Sequence, residues 1–298
     1  MKYKISEAFI KLQKSLQDIS ESPTLEAEII LQKVLKLSRE ELVLKNNIFI
    51  SKENLIRIEK IVNLRKSPTP LEHILCTKDF YRHEFYVNKN TLIPRPETEI
   101  LVDKCVEKIT NCSDNEINIL EVGIGSGCIF ISVASELLRL DAKKSYTFYL
   151  TDISSKAILV AKKNLQAIIP KEQNSCKFIF YKADILPKSL AQKPFNFIIS
   201  NPPYIPEADL QNLQKEVKCE PLIALSGGND GLEIYRKILL KTKNCLTRKA
   251  IILFEIYPSK ADELIKLFNT IYHQTLSIEL IKDLNGLQRV MLIYQNIQ

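Results

Sequence analysis

The chain has 298 residues, 45% of them hydrophobic and 26% charged, enough to bury a substantial core and long enough for two domains of ordinary size. No apolar stretch reaches the roughly 18 residues that span a bilayer, and the N-terminus, with Lys2, Lys4, Glu7 and Lys11 among isolated apolar residues, lacks the apolar core of a secretory signal; the expectation is a cytoplasmic protein without a membrane anchor. The formal net charge of +7 comes from lysines spread along the chain with no dense block, the pattern of a solvated surface rather than of a nucleic-acid patch.

The first 66 residues contain no glycine and read as helices. Phe9, Leu12, Leu16 and Ile19 fall on one helical face. Ser22 is placed to cap a helix that has Pro23 at its first position, Ser38 and Glu41 have capping-box spacing, and Ser51 opens a further helix through Arg65. These signals predict a small helical bundle over 1–66. Ser67-Pro68-Thr69-Pro70 then punctuates the chain, and short aromatic and β-branched runs over 73–93 predict a hairpin linker within 67–96. From about residue 97 the pattern alternates: a helix over 97–110, strands near 117–122, 146–151, 177–182, 195–200 and 250–256, and amphipathic segments between most of them. That is the signature of a mainly parallel α/β sheet in a domain over 97–298. Ser277 to Ile281 and Leu287 to Tyr294, joined around Asn285-Gly286, predict an antiparallel pair at the sheet's edge.

Only seven glycines occur, six of them in two clusters at 123, 125, 127 and at 227, 228, 231. In so glycine-poor a chain the clusters mark backbone that needs positive φ or close approach by a ligand. Three histidines, His73, His83 and His273, give a zinc site or a His-dependent triad few parts, and no metal is expected. The seven cysteines contain no C-x-x-C pair and read as reduced packing residues. Ile117 to Val122 leads into Gly123-Ile124-Gly125-Ser126-Gly127, with a helical pattern from Cys128. A strand, a glycine turn and a helix N-terminus in that order let a nucleoside cofactor approach the backbone. Cys128 stands where the dinucleotide fingerprint needs its third glycine, which shifts weight toward S-adenosylmethionine. Asp152, ending the second strand of this domain, can accept from both ribose hydroxyls or cap the helix before Ser154. Asp184 can accept from an adenine amino group while Ile185 packs on the ring, or be a simple loop carboxylate. Glu121 either faces a methionine ammonium or caps the following helix.

Asn201-Pro202-Pro203-Tyr204 follows the apolar run 195–200. Each proline fixes its own φ and biases the residue before it toward extended backbone. An amide side chain, two carbonyls without neighbouring N–H donors and an aromatic face then share one small space, a clamp for a planar group bearing N–H donors. Ligands of open α/β sheets bind beyond the carboxyl ends of the strands, so clamp and glycine turn serve one crevice; a mere proline turn is the plain alternative. The combination points to methyl transfer onto a planar nitrogen, in adenine of DNA or RNA or in a protein glutamine.

The flanking sequence narrows this. Leu92-Ile93-Pro94-Arg95-Pro96-Glu97-Thr98-Glu99 upstream, and Glu216-Val217, Glu220-Pro221, Ala224-Leu225 and Gly227-Gly228-Asn229-Asp230-Gly231-Leu232 downstream, resemble the release-factor glutamine methyltransferases, the HemK/PrmC family. The likeness covers most of the chain, including the helical N-terminal region and Lys282 to Val290. It implies a Rossmann-like class I methyltransferase sheet of seven strands, the last pair antiparallel, with a small N-terminal helical domain and a β-hairpin linker. It also implies methylation of the glutamine side-chain nitrogen in the Gly-Gly-Gln motif of peptide chain release factors, with S-adenosylmethionine as donor and the N-terminal domain helping to dock the factor. The clamp Asn201, Pro202, Pro203 and Tyr204 takes the catalytic positions, and Gly123, Ile124, Gly125, Ser126, Gly127, Asp152, Asp184, Ile185 and Asn201 the cofactor positions. Arg95 and Glu97 match the upstream motif, and read equally as an ion pair or as the start of the helix at 97. A monomer with no nucleic-acid substrate is expected. The chain departs from the family pattern at Cys76 and Arg82, where linker glycines are usual, and at Glu255-Ile256-Tyr257, where a glycine usually follows the acidic residue.

A primary amide nitrogen is a poor nucleophile because its lone pair is delocalised into the carbonyl. The Asn201 side-chain oxygen can accept one of its N–H groups and the Pro202 carbonyl the other, with Tyr204 packed against the amide; no residue reads as a strong general base. Adenine-directed methylation would want a basic target-recognition region, whereas the residues before 67 mix acids and bases. A non-catalytic binding module of the same fold would have no need of an intact glycine turn and clamp.

Overall fold

The computed structural model describes residues 3–140, 144–272 and 277–294; Lys2 and His273 lie outside them. The chain divides into two compact units, Met1–Cys76 with Lys215–Cys219, and Thr77–Gln214 with Glu220–Gln298.

The first unit contains α1 (Ile5–Leu16), α2 (Pro23–Leu35), α3 (Arg39–Leu44), α4 (Lys52–Arg65) and α5 (Leu71–Leu75). Its helix starts follow from local chemistry. The Glu41 N–H donates to Ser38 Oγ at 3.2 Å while Glu41 Oε2 accepts from the Ser38 N–H at 2.9 Å, a complete capping box. Ser51 accepts from the Asn54 N–H at 3.2 Å. Ser22 holds the cap position before Pro23, but its hydroxyl makes no capping bond. The buried face of α1 is Ile5, Ala8, Leu12 and Leu16, packed with Ala27, Ile30 and Leu31 of α2. Phe9 is half-buried against the same core and Ile19 falls past the end of α1, so the predicted face holds through Leu12 and Leu16 and extends toward the N-terminus through Ala8 and Ile5.

Arg65 is the largest fully buried side chain of this unit, 1% exposed. Its guanidinium forks onto Glu26, with Nε to Oε2 at 2.9 Å and Nη2 to Oε1 at 2.7 Å, and also bonds Glu216 and, at 3.3 Å, the Thr69 carbonyl. The planar fork matches a carboxylate and satisfies a charge that would otherwise be costly to bury.

In the second unit β1 (Thr77–Phe80) and β2 (His83–Tyr86) form an antiparallel hairpin. There follow α6 (Glu99–Thr110), β3 (Glu116–Val122), α7 (Cys128–Arg139), β4 (Ser145–Asp152), α8 (Ser155–Ile168), β5 (Cys176–Lys182), β6 (Phe195–Ser200), α9 (Glu233–Thr242), β7 (Leu246–Glu255), α10 (Ala261–Tyr272), β8 (Ser277–Lys282) and β9 (Gln288–Tyr294). The strands β3 to β9 make one seven-stranded sheet in the order β5-β4-β3-β6-β7-β9-β8. β9 runs antiparallel to both β7 and β8, and the remaining pairings are parallel. The expected seven-stranded sheet with its antiparallel closing pair is therefore present. In the turn between β8 and β9, Asp283 Oδ1 accepts from the Asn285 and Leu287 N–H groups, each at 2.9 Å, fixing the hairpin.

β6 is buried along its whole length, as a central parallel strand covered on both faces must be. Ile119 and Phe197 face one core with Leu101, Phe130 and Ala161 of α6, α7 and α8. Leu120 and Ile198 face the other with Tyr235, Leu239 and Phe268 of α9 and α10. The cysteines are only partly packing residues: Cys105, Cys128, Cys176 and Cys245 are buried, but Cys76 and Cys219 are exposed. No described helix is long and apolar enough to cross a membrane.

Replacing Arg65 with Met keeps the apolar stem but leaves Glu26 and Glu216 without their guanidinium. The expected cost is about 3–5 kcal/mol, read as a lower urea midpoint; an unchanged midpoint would show that the cluster does not hold this unit together.

Candidate active site

Strand register assembles the site. Val122 of β3 pairs with Thr151 of β4 on one side and with Ser200 of β6 on the other, and Ser200 pairs with Phe254 of β7. The next residue of each strand is thus Asp152, Gly123, Asn201 and Glu255, in one row at the carboxyl end of the sheet. The chain order reverses between β3 and β6, which opens the crevice where ligands of such sheets bind.

Gly123, Gly125 and Gly127 all have positive φ, and a Cβ added at Gly123 or Gly125 would meet nothing within 4 Å. Both glycines line the cleft, so their bare backbone faces open space. Asp152 bridges the turn to the next helix: Oδ2 accepts from the Gly125 N–H at 3.0 Å and Oδ1 from the Ser154 N–H at 2.8 Å. Burial raises its pKa, and these two amides pull it down in part. Each oxygen has lone-pair capacity left for a ligand hydroxyl. At the far corner Ile185 has φ 70, and the Leu186 N–H donates to the Asp184 carbonyl at 3.1 Å across it. This is the strained form of γ-turn, rare for a β-branched residue, and such strain costs on the order of 1–3 kcal/mol. The Asp184 carboxylate is exposed and holds Lys241 Nζ at 3.0 Å.

On the other side of the crevice Asn201 Nδ2 donates to Thr98 Oγ1 at 3.3 Å, and the Thr98 hydroxyl donates to Glu255 Oε2 at 2.6 Å. The Tyr204 hydroxyl donates to Glu255 Oε1 at 3.3 Å, and the Tyr235 hydroxyl to the Glu255 carbonyl at 2.7 Å. Burial pushes the Glu255 carboxyl up to about 7, against the pull of the Thr98 and Tyr204 hydroxyls and of Arg289. Burial, with the Glu255 charge beside it, also raises the Tyr204 hydroxyl. The second glycine cluster holds the clamp from outside: a Cβ at Gly227 would stand 2.8 Å from Tyr204 Cα and from the Gly231 carbonyl oxygen. The Ile205 N–H donates to the Leu225 carbonyl and the Gly227 N–H to the Ile205 carbonyl, at 3.0 and 2.9 Å. Upstream, Glu220 accepts from the Ile93 N–H at 2.8 Å and pairs with Arg95.

Two family models match the chain, the PrmC N-terminal domain over residues 7–75 and the methyltransferase small domain over residues 97–219. A release factor glutamine methyltransferase of Dictyoglomus turgidum is 35% identical over 291 residues, 96% of this chain and 97% of that protein. The chain belongs to the release factor glutamine methyltransferase family. A second relative of that name, from Bacillus cereus, is 33% identical over 89% of this chain and 90% of its own. Among solved structures, the hMettl16 catalytic domain in complex with a MAT2A 3′UTR hairpin shares the fold alone, at 14% identity and a TM-score of 0.53 over 97% of this chain and 91% of that one.

In this methyltransferase Gly123, Ile124, Gly125, Ser126, Asp152, Asp184 and Ile185 line the same cleft as Asn201, Pro202 and Pro203. Gly127 and Tyr204 do not line it. Gly127 caps α7, and a Cβ there would meet Phe130 at 2.8 Å. Tyr204 sits behind the clamp, stacked on Tyr257 at 5.6 Å and 23°. Glu121 is buried on β3 beside the cleft without lining it. Arg95 pairs with Glu220 rather than with Glu97, which lies in the turn that opens α6. The departures from the family pattern are accommodated differently. Cys76 adopts φ 57, a conformation glycine takes at no cost, whereas Arg82 does not; Tyr81 beside it does, at φ 55. Tyr257 has φ −74 and contributes its ring to the clamp.

Sequence pattern alone assigns no role to Thr98 or Glu255, although Thr98 lies inside the upstream motif and Glu255 is a lone acid closing the apolar run of β7. A carboxylate at the carboxyl end of a sheet strand was the available signal.

Glu255 makes stability depend on pH. Its pKa rises from an ordinary 4.5 to about 7 on folding, so in that window the folded chain keeps a proton that the unfolded chain has released, and stability falls as pH rises. Glu255→Gln lacks this fall. Its stability relative to the parent should climb by on the order of 3 kcal/mol between pH 4.5 and pH 8, measured by urea unfolding; a difference constant with pH would contradict the assignment. Gly227→Ala forces a Cβ against Tyr204, and should cost about 1–3 kcal/mol and lower methyl transfer, checked by melting temperature and turnover.

Proposed function

We propose that this chain transfers a methyl group from S-adenosylmethionine to the side-chain amide nitrogen of the glutamine in the Gly-Gly-Gln motif of peptide chain release factors, modulating translation termination. The observation that carries this reading is the meeting of Asn201-Pro202-Pro203 and the glycine turn in one cleft, in a chain that matches release factor glutamine methyltransferases over nearly its whole length.

The cleft suits the donor. Gly123 and Gly125 present backbone with open space before it, Asp152 keeps acceptor capacity for ribose hydroxyls, and Ile185 offers an apolar wall at the strained corner. Asp184 would meet the adenine side while sharing its charge with Lys241. When bound, S-adenosylmethionine supplies a methyl group activated by its sulfonium. The chain's own residues then position the acceptor. Asn201 Oδ1 accepts one amide N–H of the substrate glutamine and the Pro202 carbonyl the other, which stops rotation of the amide and aims its nitrogen into the cleft. Pro202 and Pro203, with fixed φ, keep that pair of acceptors rigid. Tyr204 acts from behind, tying the end of the clamp to Glu255. The N-terminal helical unit, 1–66 with the linker 67–96 after it, serves as a docking surface for the release factor, and the chain works as a cytoplasmic monomer on protein rather than nucleic acid.

Labelled S-adenosylmethionine offered with either a release factor or nucleic acid should mark only the factor; label on nucleic acid would overturn the reading. Asn201→Ala should lower turnover about 10²–10³-fold with cofactor affinity within a few-fold. Asp152→Ala should instead weaken cofactor binding first, and unchanged affinity by calorimetry would remove its ribose role.

A further inference from the structure

The Asn201 side chain has two orientations of nearly the same shape that exchange oxygen and NH₂. Only one of them can receive an amide N–H; the other turns a donor toward a donor. Thr98 lies 2% exposed and Glu255 3% exposed directly behind this side chain. Above about pH 7 Glu255 is ionised and a carboxylate only accepts, so there the 2.6 Å bond commits the single hydroxyl proton of Thr98 to Glu255 Oε2. The remaining lone pairs of Thr98 Oγ1 then have to be met by a donor, and the Asn201 amide meets them with Nδ2 at 3.3 Å. The other carboxylate oxygen accepts from Tyr204 at 3.3 Å, so Glu255 grips both ends of the tetrapeptide, one directly and one through Thr98.

We propose that Thr98 and Glu255 are positioning residues for the methyl transfer: the directed chain from Asn201 through Thr98 to Glu255 selects the side-chain orientation that presents Asn201 Oδ1 to the substrate. This rests on the glutamine-methylating reading above. The three side chains come from the start of α6, the end of β6 and the end of β7, so the chain of hydrogen bonds also ties the strand exits together. An isosteric change at Thr98 removes the hydroxyl without altering the shape of the cleft.

The test compares release-factor methylation at about pH 8.5, where Glu255 is ionised, by the parent protein, Thr98→Val and Thr98→Ser, each also in an Asn201→Ala background, with cofactor affinity by calorimetry and melting temperature for every variant. Thr98→Val should lower kcat about 10- to 100-fold with cofactor affinity within about threefold, and Thr98→Ser should restore kcat to within about fivefold of the parent. In the Asn201→Ala background the same Thr98→Val change should cost less than about twofold, because the residue it acts through is gone. The inference fails if Thr98→Val is unimpaired, if Thr98→Ser loses as much as Thr98→Val, or if the loss is the same without Asn201. Should Thr98→Val melt below the assay temperature, Glu255→Gln and Glu255→Met give the same comparison: the glutamine oxygen still accepts from Thr98 and should stay within about tenfold of the parent, whereas methionine should fall as Thr98→Val does. A parent protein that does not label the release factor removes the underlying reading; a parent that labels it beside an unimpaired Thr98→Val removes this inference alone.

Discussion

Everything at this site depends on the register of four parallel strands. Val122 pairs with Thr151 and Ser200, and Ser200 with Phe254, which sets Asp152, Gly123, Asn201 and Glu255 side by side. A slip of one residue in any of these pairings would turn a strand's side chains to the opposite face. The two apolar cores, one on each face of the sheet, prevent that slip because Ile119 and Leu120, or Phe197 and Ile198, belong to different cores. Fold stability and site geometry are thus the same constraint.

The site also concentrates groups that the fold would be better without. Glu255 and Asp152 are carboxylates whose pKa values burial raises, and Ile185 occupies a strained backbone conformation. Local costs of this kind gather where geometry has to be held for function. Their compensation is visible in hydrogen bonds: two backbone amides on Asp152, two hydroxyls on Glu255. The second glycine cluster adds support by close approach, since Gly227 and Gly231 pack against the backbone of Tyr204.

Much of this was legible in the sequence because it is written in local signals. The alternation of strand and helix gave the parallel sheet, Asn285-Gly286 the closing hairpin, and the glycine turn and prolines the two walls of the cleft. The second glycine cluster was legible as backbone that needs positive φ, which Gly228 and Gly231 adopt, whereas the close approach at Gly227 and Gly231 is made by Tyr204 rather than by a ligand. The apolar face of α1 was legible through Leu12 and Leu16 but its end was not, because Ile19 continues the apolar spacing past the point where the helix stops. What local pattern cannot carry is partner choice between distant residues. Arg65 with Glu26, Arg95 with Glu220, and Thr98 with Glu255 are separated by long stretches of chain, and only the folded register brings them together. Tyr204 shows the same limit: its motif announces an aromatic face, but its neighbour Tyr257 and its bond to Glu255 decide where that face lies.

The central claim is that Asn201 and Pro202 receive the primary amide of a glutamine beside the cofactor cleft. A crystal structure with S-adenosylhomocysteine and a peptide carrying the Gly-Gly-Gln sequence measures this directly. The account predicts the glutamine amide nitrogen within about 2.7–3.2 Å of both Asn201 Oδ1 and the Pro202 carbonyl oxygen, with Asn201 Nδ2 still on Thr98. A glutamine amide bound elsewhere, or an Asn201 side chain turned so that its NH₂ faces the peptide, would contradict it.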